Sequence, residues 1–151
     1  MRKISRLIFL ALAVNFVTAF NTNAQEIGAR FGGVNGYFGP ALDGVFSAGP
    51  FERIHADIGF FQGAVGIDAL WDFVHNPING EAINWYLGVG PSTYFGNDFY
   101  FGASGEIGLE YRFEKLPIAF GIDWRPTLWL FRDKTFGSDS FGVNFRFILG
   151  E

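Results

Sequence analysis

The sequence predicts an all-β protein, a single closed antiparallel up-and-down β-barrel of about eight strands preceded by a signal peptide. Three observations carry this expectation. Apolar residues alternate with polar or glycine positions along most of the chain; glycines and charges share one face of the alternation while aromatic rings share the other; and a cationic, then apolar, segment opens the chain. The composition agrees, with 20 Phe, 4 Trp and 5 Tyr beside 21 Gly in 151 residues. Large rings and absent side chains are both over-supplied, which favours strands.

Arg2, Lys3 and Arg6 precede an apolar run from Leu7 to Phe20, broken only by Asn15 and Thr18. This is the pattern of a secretory signal peptide over residues 1–24, and Thr22-Asn23-Ala24 places small residues at −3 and −1 of a cleavage site before Gln25. The run is shorter than the roughly 20 residues a membrane-spanning helix needs. Residues 25–151 then form one domain. Taking those three cations from the 11 Lys+Arg leaves 8 against 15 Asp+Glu, a net charge of −7. A nucleic-acid partner is excluded on that balance, because phosphate binding needs a basic face. The chain has no Cys and only two His, so it offers no disulfide framework or thiolate metal site; no metal and no cofactor are expected.

In chain order the strands are expected at Ile27 to Val34, Ala41 to Ala48, Arg53 to Phe61, Ala64 to Val74, Ala82 to Phe95, Phe99 to Phe113, Ile118 to Leu130 and Phe141 to Leu149. The clearest is the sixth, where Phe99, Phe101, Ile107, Leu109, Tyr111 and Phe113 share one face and Gly102, Ser104, Glu106, Gly108, Glu110 and Arg112 the other. Such a length suits a tilted membrane strand of about 9–11 residues with extensions. Eight is also the smallest strand count of a closed membrane barrel. Turn signals separate the segments: Asn35-Gly36, Gly49-Pro50, Gln62-Gly63, Asn76-Pro77 with Asn79-Gly80, Gly96-Asn97-Asp98, Lys115-Leu116-Pro117, and Asp133 to Asp139.

If the aromatic face points outward, Gly28, Gly32, Gly59, Gly66, Gly88, Gly90, Gly102, Gly108, Gly121 and Gly142 all point inward, giving a thin inner wall. The same face carries a polar network of Arg30, Asp43, His55, Asp57, Asp68, Asp72, Glu106, Glu110, Arg112, Asp123, Arg125 and Arg146. A soluble sandwich would bury these charges in an apolar core or expose a wall of Phe to water; a membrane barrel does neither. Folding about Lys115 sets Phe113 opposite Ile118 and Ile107 opposite Trp124, and predicts a Glu106–Arg125 ion pair in the bore. Folding about Gly49-Pro50 sets Asp43 opposite Asp57 as a candidate shared-proton pair.

On the outer face Trp71, Phe73, Trp85, Tyr111 and Phe113 lie near the ends that share a side with the termini, as an interfacial aromatic girdle would. His55 and Asp57 share a face without a firmly placed nucleophile, which makes network membership the expectation and catalysis not. His75, beside Asn76-Pro77, reads as a turn residue. Pro126 and Pro91 predict a bulge or a break in pairing.

Five segments together carry a family resemblance: Ile54-His55-Ala56-Asp57, Gly66-Ile67-Asp68-Ala69-Leu70-Trp71-Asp72-Phe73, Asn84-Trp85-Tyr86 with Gly88-Val89-Gly90-Pro91, Gly105-Glu106-Ile107-Gly108-Leu109-Glu110-Tyr111, and Asp123-Trp124-Arg125-Pro126. On these, the stretch from about Ala41 to Phe147 resembles a family of small uncharacterised outer-membrane β-barrel proteins of Gram-negative bacteria. The resemblance implies a fold and an address, the outer membrane, but no activity. Gly150-Glu151 after Phe147-Ile148-Leu149 depart from the terminal aromatic that barrel-assembly recognition favours. The expected function is a non-enzymatic membrane barrel with a plugged polar lumen and a structural or small-molecule or lipid interaction role. Its expected partners are outer-membrane lipid and, during insertion, the barrel-assembly machinery, with the protein itself a monomer. The alternatives are a lipid-modifying barrel enzyme and a soluble periplasmic lipocalin-like binding barrel.

Overall fold

A computed structural model describes residues 25–34, 37–50, 52–80, 82–131 and 135–149. The expected signal peptide over residues 1–24, the Asn35-Gly36 turn, the start of the Asp133 to Asp139 turn and the terminal Gly150-Glu151 lie outside the described residues. Alternation produces the strands β1 (Gln25–Val34), β2 (Tyr37–Gly49), β3 (Glu52–Phe61), β4 (Ala64–Pro77), β5 (Ile83–Phe95), β6 (Phe99–Arg112), β7 (Ile118–Trp124), β8 (Thr127–Phe131), β9 (Phe136–Gly137) and β10 (Phe141–Ile148). All ladders are antiparallel between neighbours. β7 with β8 forms one stave of the wall and β9 with β10 another, and β1 pairs β10 while β5 pairs β6, so eight staves close into a barrel. Closure leaves few free strand edges, the problem that an open sheet of this length would face.

The register matches the expected hairpins. Ile107 is opposite Trp124, Asp43 is opposite Asp57, and the Phe113 amide donates to the Ile118 carbonyl (3.1 Å). Gln62-Gly63 links β3 to β4 with Gly63 at φ 77°, and Asn79 (φ 54°) and Gly80 (φ 71°) hold the left-handed conformations that the turn after β4 requires. The break at Pro126 is present: β7 stops at Trp124, β8 starts at Thr127, and the Pro126 carbonyl accepts from the Gly105 amide instead (2.9 Å). At Pro91 the break is on one side: the β4 ladder skips from Asp68↔Ser92 to Trp71↔Val89 without a register change, while Pro91 stays inside β5 opposite Ala103. A missing N–H costs local bonds there, not the strand.

One shift in β4 corrects the reading of His75. Asp72 faces Gly88, yet Val74 faces Leu87, so one extra residue is inserted at Phe73 and the parity of the strand flips. β4 therefore runs on to Pro77, and His75 comes opposite Tyr86 as a strand residue, not a turn residue.

Burial alternates along the strands, as in β6, where from Phe101 to Tyr111 the inward positions are buried and the outward ones exposed or half-buried. The outer wall is apolar: Ile27, Leu42, Ile58, Ile67, Val89, Ile107, Ile122 and Val143 are all exposed. Phe38, Phe60, Phe131, Phe136 and Phe141 ring the end that carries the Gln62-Gly63 turn, called here the upper end. The expected girdle lies at the lower, terminal end: Trp71, Phe73, Tyr111 and Phe113 are exposed and Trp85 is half-buried. The inward glycines seat large inward side chains. A Cβ on Gly32 or Gly142 would collide with the Arg30 guanidinium, and one on Gly108 with the Tyr86 ring.

Candidate functional site

The bore has three layers from the lower end upward. The lower and middle bore hold the charges. Above them Ser92, Ser104 and Thr127, from β5, β6 and β8, form a chain of buried hydroxyls, Ser92 to Ser104 at 2.6 Å and Ser104 to Thr127 at 2.6 Å. Near the upper rim, Phe61, Tyr94, Tyr100 and Trp129 run ring to ring at 5.9–6.1 Å.

Every sequence-expected member of the polar network points into the bore, and all but Arg112 are buried. Arg112 lies at the lower rim with its side chain 32% exposed, and it bonds Glu26 and Glu110. Arg125 is the central hub. Its Nε donates to Glu106 Oε2 (2.8 Å), which is the expected pair, and its Nη1 bonds Asp57 and lies 3.6 Å from Asp68. Arg30 grips Asp123 through Nε and Nη2 (2.5–3.1 Å), with Asn144 donating to the same carboxylate (3.0 Å). Arg146 reaches Glu26 (2.9 Å), Asp43 (3.2 Å) and Glu110.

His55 sits at the middle of this network, fully buried. Nε2 lies 2.7 Å from Asp43 Oδ1 and Nδ1 3.0 Å from Glu106 Oε1. Arg125 Nη2 (3.2 and 3.3 Å) and Arg146 Nη1 (3.3 Å) also approach the ring nitrogens. Asp43 and Asp57, opposed in the ladder, each have basic groups beside them: His55 and Arg146 at Asp43, and Arg125 at Asp57, with His55 Nε2 3.9 Å from Asp57 Oδ2.

Four members escaped the sequence reading. Arg53 is buried, bonds Asp72 (2.7 Å) and Glu110 (3.0 Å), and lies over the Tyr86 ring at 4.5 Å. It shares the parity of His55 and Asp57, so alternation alone could have placed it. The same holds for Glu26, in parity with Gly28 and Arg30. His75, turned inward by the bulge, lies 3.5 Å from Glu110. Tyr86 is buried among the charges, where a rule that sends rings outward does not look for it.

Two sets of potential metal ligands converge within 4.8 Å, Asp43 with His55 and Asp57, and His55 with Asp72 and Glu106. Each of their carboxylates already bonds a guanidinium, of Arg53, Arg125 or Arg146, and His55 is common to both. A metal would have to displace a guanidinium from a buried pair, so the donor sets fit an internal ion network better than a metal centre.

The barrel is similar to a solved structure from work on the de novo design of transmembrane β-barrels, with a TM-score of 0.64 over 86% of this chain and 98% of the designed one, at 8% sequence identity. That likeness is one of fold. No protein-family model matches the chain, and no curated protein sequence matches it. The motif resemblance to outer-membrane proteins accordingly bears on what is proposed, while the closed barrel stands on its own geometry.

Proposed function

We propose that the protein is an integral outer-membrane β-barrel of Gram-negative type, a monomer with a plugged polar bore, whose role is structural or one of small-molecule or lipid interaction. The observation that carries this is the segregation of the two faces. Apolar and aromatic side chains are exposed around the wall, whereas Arg30, Arg125, Arg146 and their carboxylates are buried inside it. Water would be a poor solvent for that wall and hydrocarbon a good one. A soluble lipocalin-like barrel needs the reverse arrangement, with its rings around a ligand inside. The enzyme alternative centres on His55, whose complete burial leaves no approach for a lipid substrate.

Salt-bridged arginines crossing the bore, with the ring cluster above them, support a barrel that does not conduct. The test is membrane fractionation of the full chain, followed by gel analysis of heated and unheated samples and by planar-bilayer recording. The protein is expected in the outer-membrane fraction, with a heat-dependent mobility shift and without discrete conductance steps. Recovery in the soluble periplasm would overturn the reading.

A further inference from the structure

We infer that a recess under the upper rim of the bore binds a primary ammonium group, R–NH3+, between the carboxylates of Asp57 and Asp68. The recess lies against the upper halves of β1 to β4, bordered by Gly39, Gly59 and Gly66 and by Phe61, with Asp57 and Asp68 at its floor. It is narrow, admitting a group about the size of a water molecule or an ammonium head.

The local charge is unbalanced there. Among the described residues of the bore, Arg30, Arg53, Arg112, Arg125 and Arg146, with His55 and His75, face eight carboxylates, Glu26, Asp43, Asp57, Asp68, Asp72, Glu106, Glu110 and Asp123. The lower bore is matched, since Arg53, Arg112, Arg146 and His75 surround Glu26, Asp72 and Glu110. The shortfall is therefore higher up, at the cross-strand neighbours Asp57 and Asp68. They share one nitrogen of Arg125, which bonds Asp57 Oδ2 and stands 3.6 Å from Asp68 Oδ2. Asp57 is 3% exposed, and its Oδ1 has no hydrogen-bond partner among the described residues. Arg30 also borders the recess, but Asp123 holds its guanidinium.

A buried carboxylate oxygen without a donor is costly, and costlier when its charge is also under-compensated. A primary ammonium answers both deficits, because it brings one positive charge and three N–H donors to the Asp57 and Asp68 carboxylates. Phe61 adds an aromatic ring to the wall, a surface that attracts organic ammonium more than a strongly hydrated metal ion. Calcium would want six to eight oxygen ligands, more than the recess presents.

This deepens the interaction role proposed above and rests on it only for the source of the amine. The experiment is calorimetric titration of the full chain in uncharged detergent at constant ionic strength, with ethylammonium, tetramethylammonium, sodium and calcium chlorides. Ethylammonium is expected to bind saturably and tetramethylammonium, which has no N–H, at least tenfold more weakly. Asp68→Asn should weaken ethylammonium binding at least tenfold and Phe61→Leu about threefold, each in protein that retains its heat-dependent gel mobility. Absence of saturable binding, binding indifferent to Asp68→Asn, or an Asp68-dependent site for sodium or calcium in its place would each overturn the assignment. Displacement of ethylammonium by phosphatidylethanolamine, and not by phosphatidylcholine, in mixed micelles would identify the amine as a lipid headgroup; no displacement would identify it as a soluble amine. Failed titration of a protein that fractionates with membranes removes this site and leaves the barrel reading intact.

Discussion

Arg125→Met tests whether the bore is held by its charges or merely tolerates them. Arg125 is 2% exposed, donates to Glu106 at 2.8 Å, bonds Asp57, and lies within 3.6 Å of Asp68 and Asp123. Methionine keeps much of the side-chain length and removes the charge, leaving several buried carboxylates short of a partner. Removing one partner of a buried pair costs about 3–5 kcal/mol. Arg112→Met is the matched control at the partly exposed rim, where Glu26 and Glu110 keep Arg146 and Arg53, and the expected cost is below about 1 kcal/mol. The assay is reversible urea unfolding of the barrel folded into liposomes, followed by tryptophan fluorescence and by heat-dependent gel mobility. Adding Asp57→Asn and Glu106→Gln to Arg125→Met removes the stranded charges and should recover more than half of the loss. Equal costs for the Arg125 and Arg112 variants, or no recovery in the triple variant, would refute the hub assignment.

Three further perturbations separate the wall, the backbone and the buried polar atoms. Ile122→Arg, on the exposed mid-wall, is expected to lower stability in liposomes by about 2–4 kcal/mol, against roughly 0–1 kcal/mol for Phe38→Arg near the upper rim; equal effects in the same urea assay would count against a membrane around the wall. Gly28→Ala sets a methyl group against the Phe145 carbonyl and should cost about 1–3 kcal/mol, whereas Gly105→Ala, whose Cβ meets nothing closer than 3.8 Å, should be within about 0.5 kcal/mol of the parent. Tyr86→Phe removes a buried hydroxyl that has no hydrogen-bond partner among the described residues and should leave the unfolding midpoint unchanged or raised; a loss above about 2 kcal/mol would mean that a bound water or ligand holds that oxygen.

The sequence made the barrel legible because period-two alternation needs no tertiary information: strand order, inward parity and the hairpin about Lys115 follow from it, and the Glu106–Arg125 contact follows from the hairpin. His75 was not legible, because the insertion at Phe73 reverses parity and nothing in the local residue types announces it. Arg53 and Glu26 obey the alternation yet lie at strand ends, where a pattern read from the middle of each segment loses force. Tyr86 and Trp129 point inward against the trend of the rings, each resting where an inward glycine makes room, Tyr86 over Gly108 and Trp129 over Gly102. The recess at Asp57 and Asp68 needed three dimensions, since its charge shortfall appears only when arginines from distant strands are assigned to their carboxylates.

That a bore of this width is filled with ions is not explained by stability alone, since a well-packed apolar filling of the same volume would hold the staves together as firmly. What the ions add is discrimination between the two faces. With apolar residues on both sides, a strand slipped by one residue would lose little in the proposed membrane, because hydrocarbon and an apolar bore would solvate its side chains alike. In this barrel the same slip in β6 would send Glu106 and Glu110 outward and bring Ile107 and Leu109 among the arginines. It would also set a Cβ-bearing residue where Gly108 leaves room for Tyr86, and slips in β1 or β10 would do the same where Gly32 and Gly142 leave room for Arg30. Charge placement and glycine placement therefore penalise the same error. The inward half of the alternation fixes register as firmly as the outward half fixes the solvent, and neither half would specify this barrel without the other.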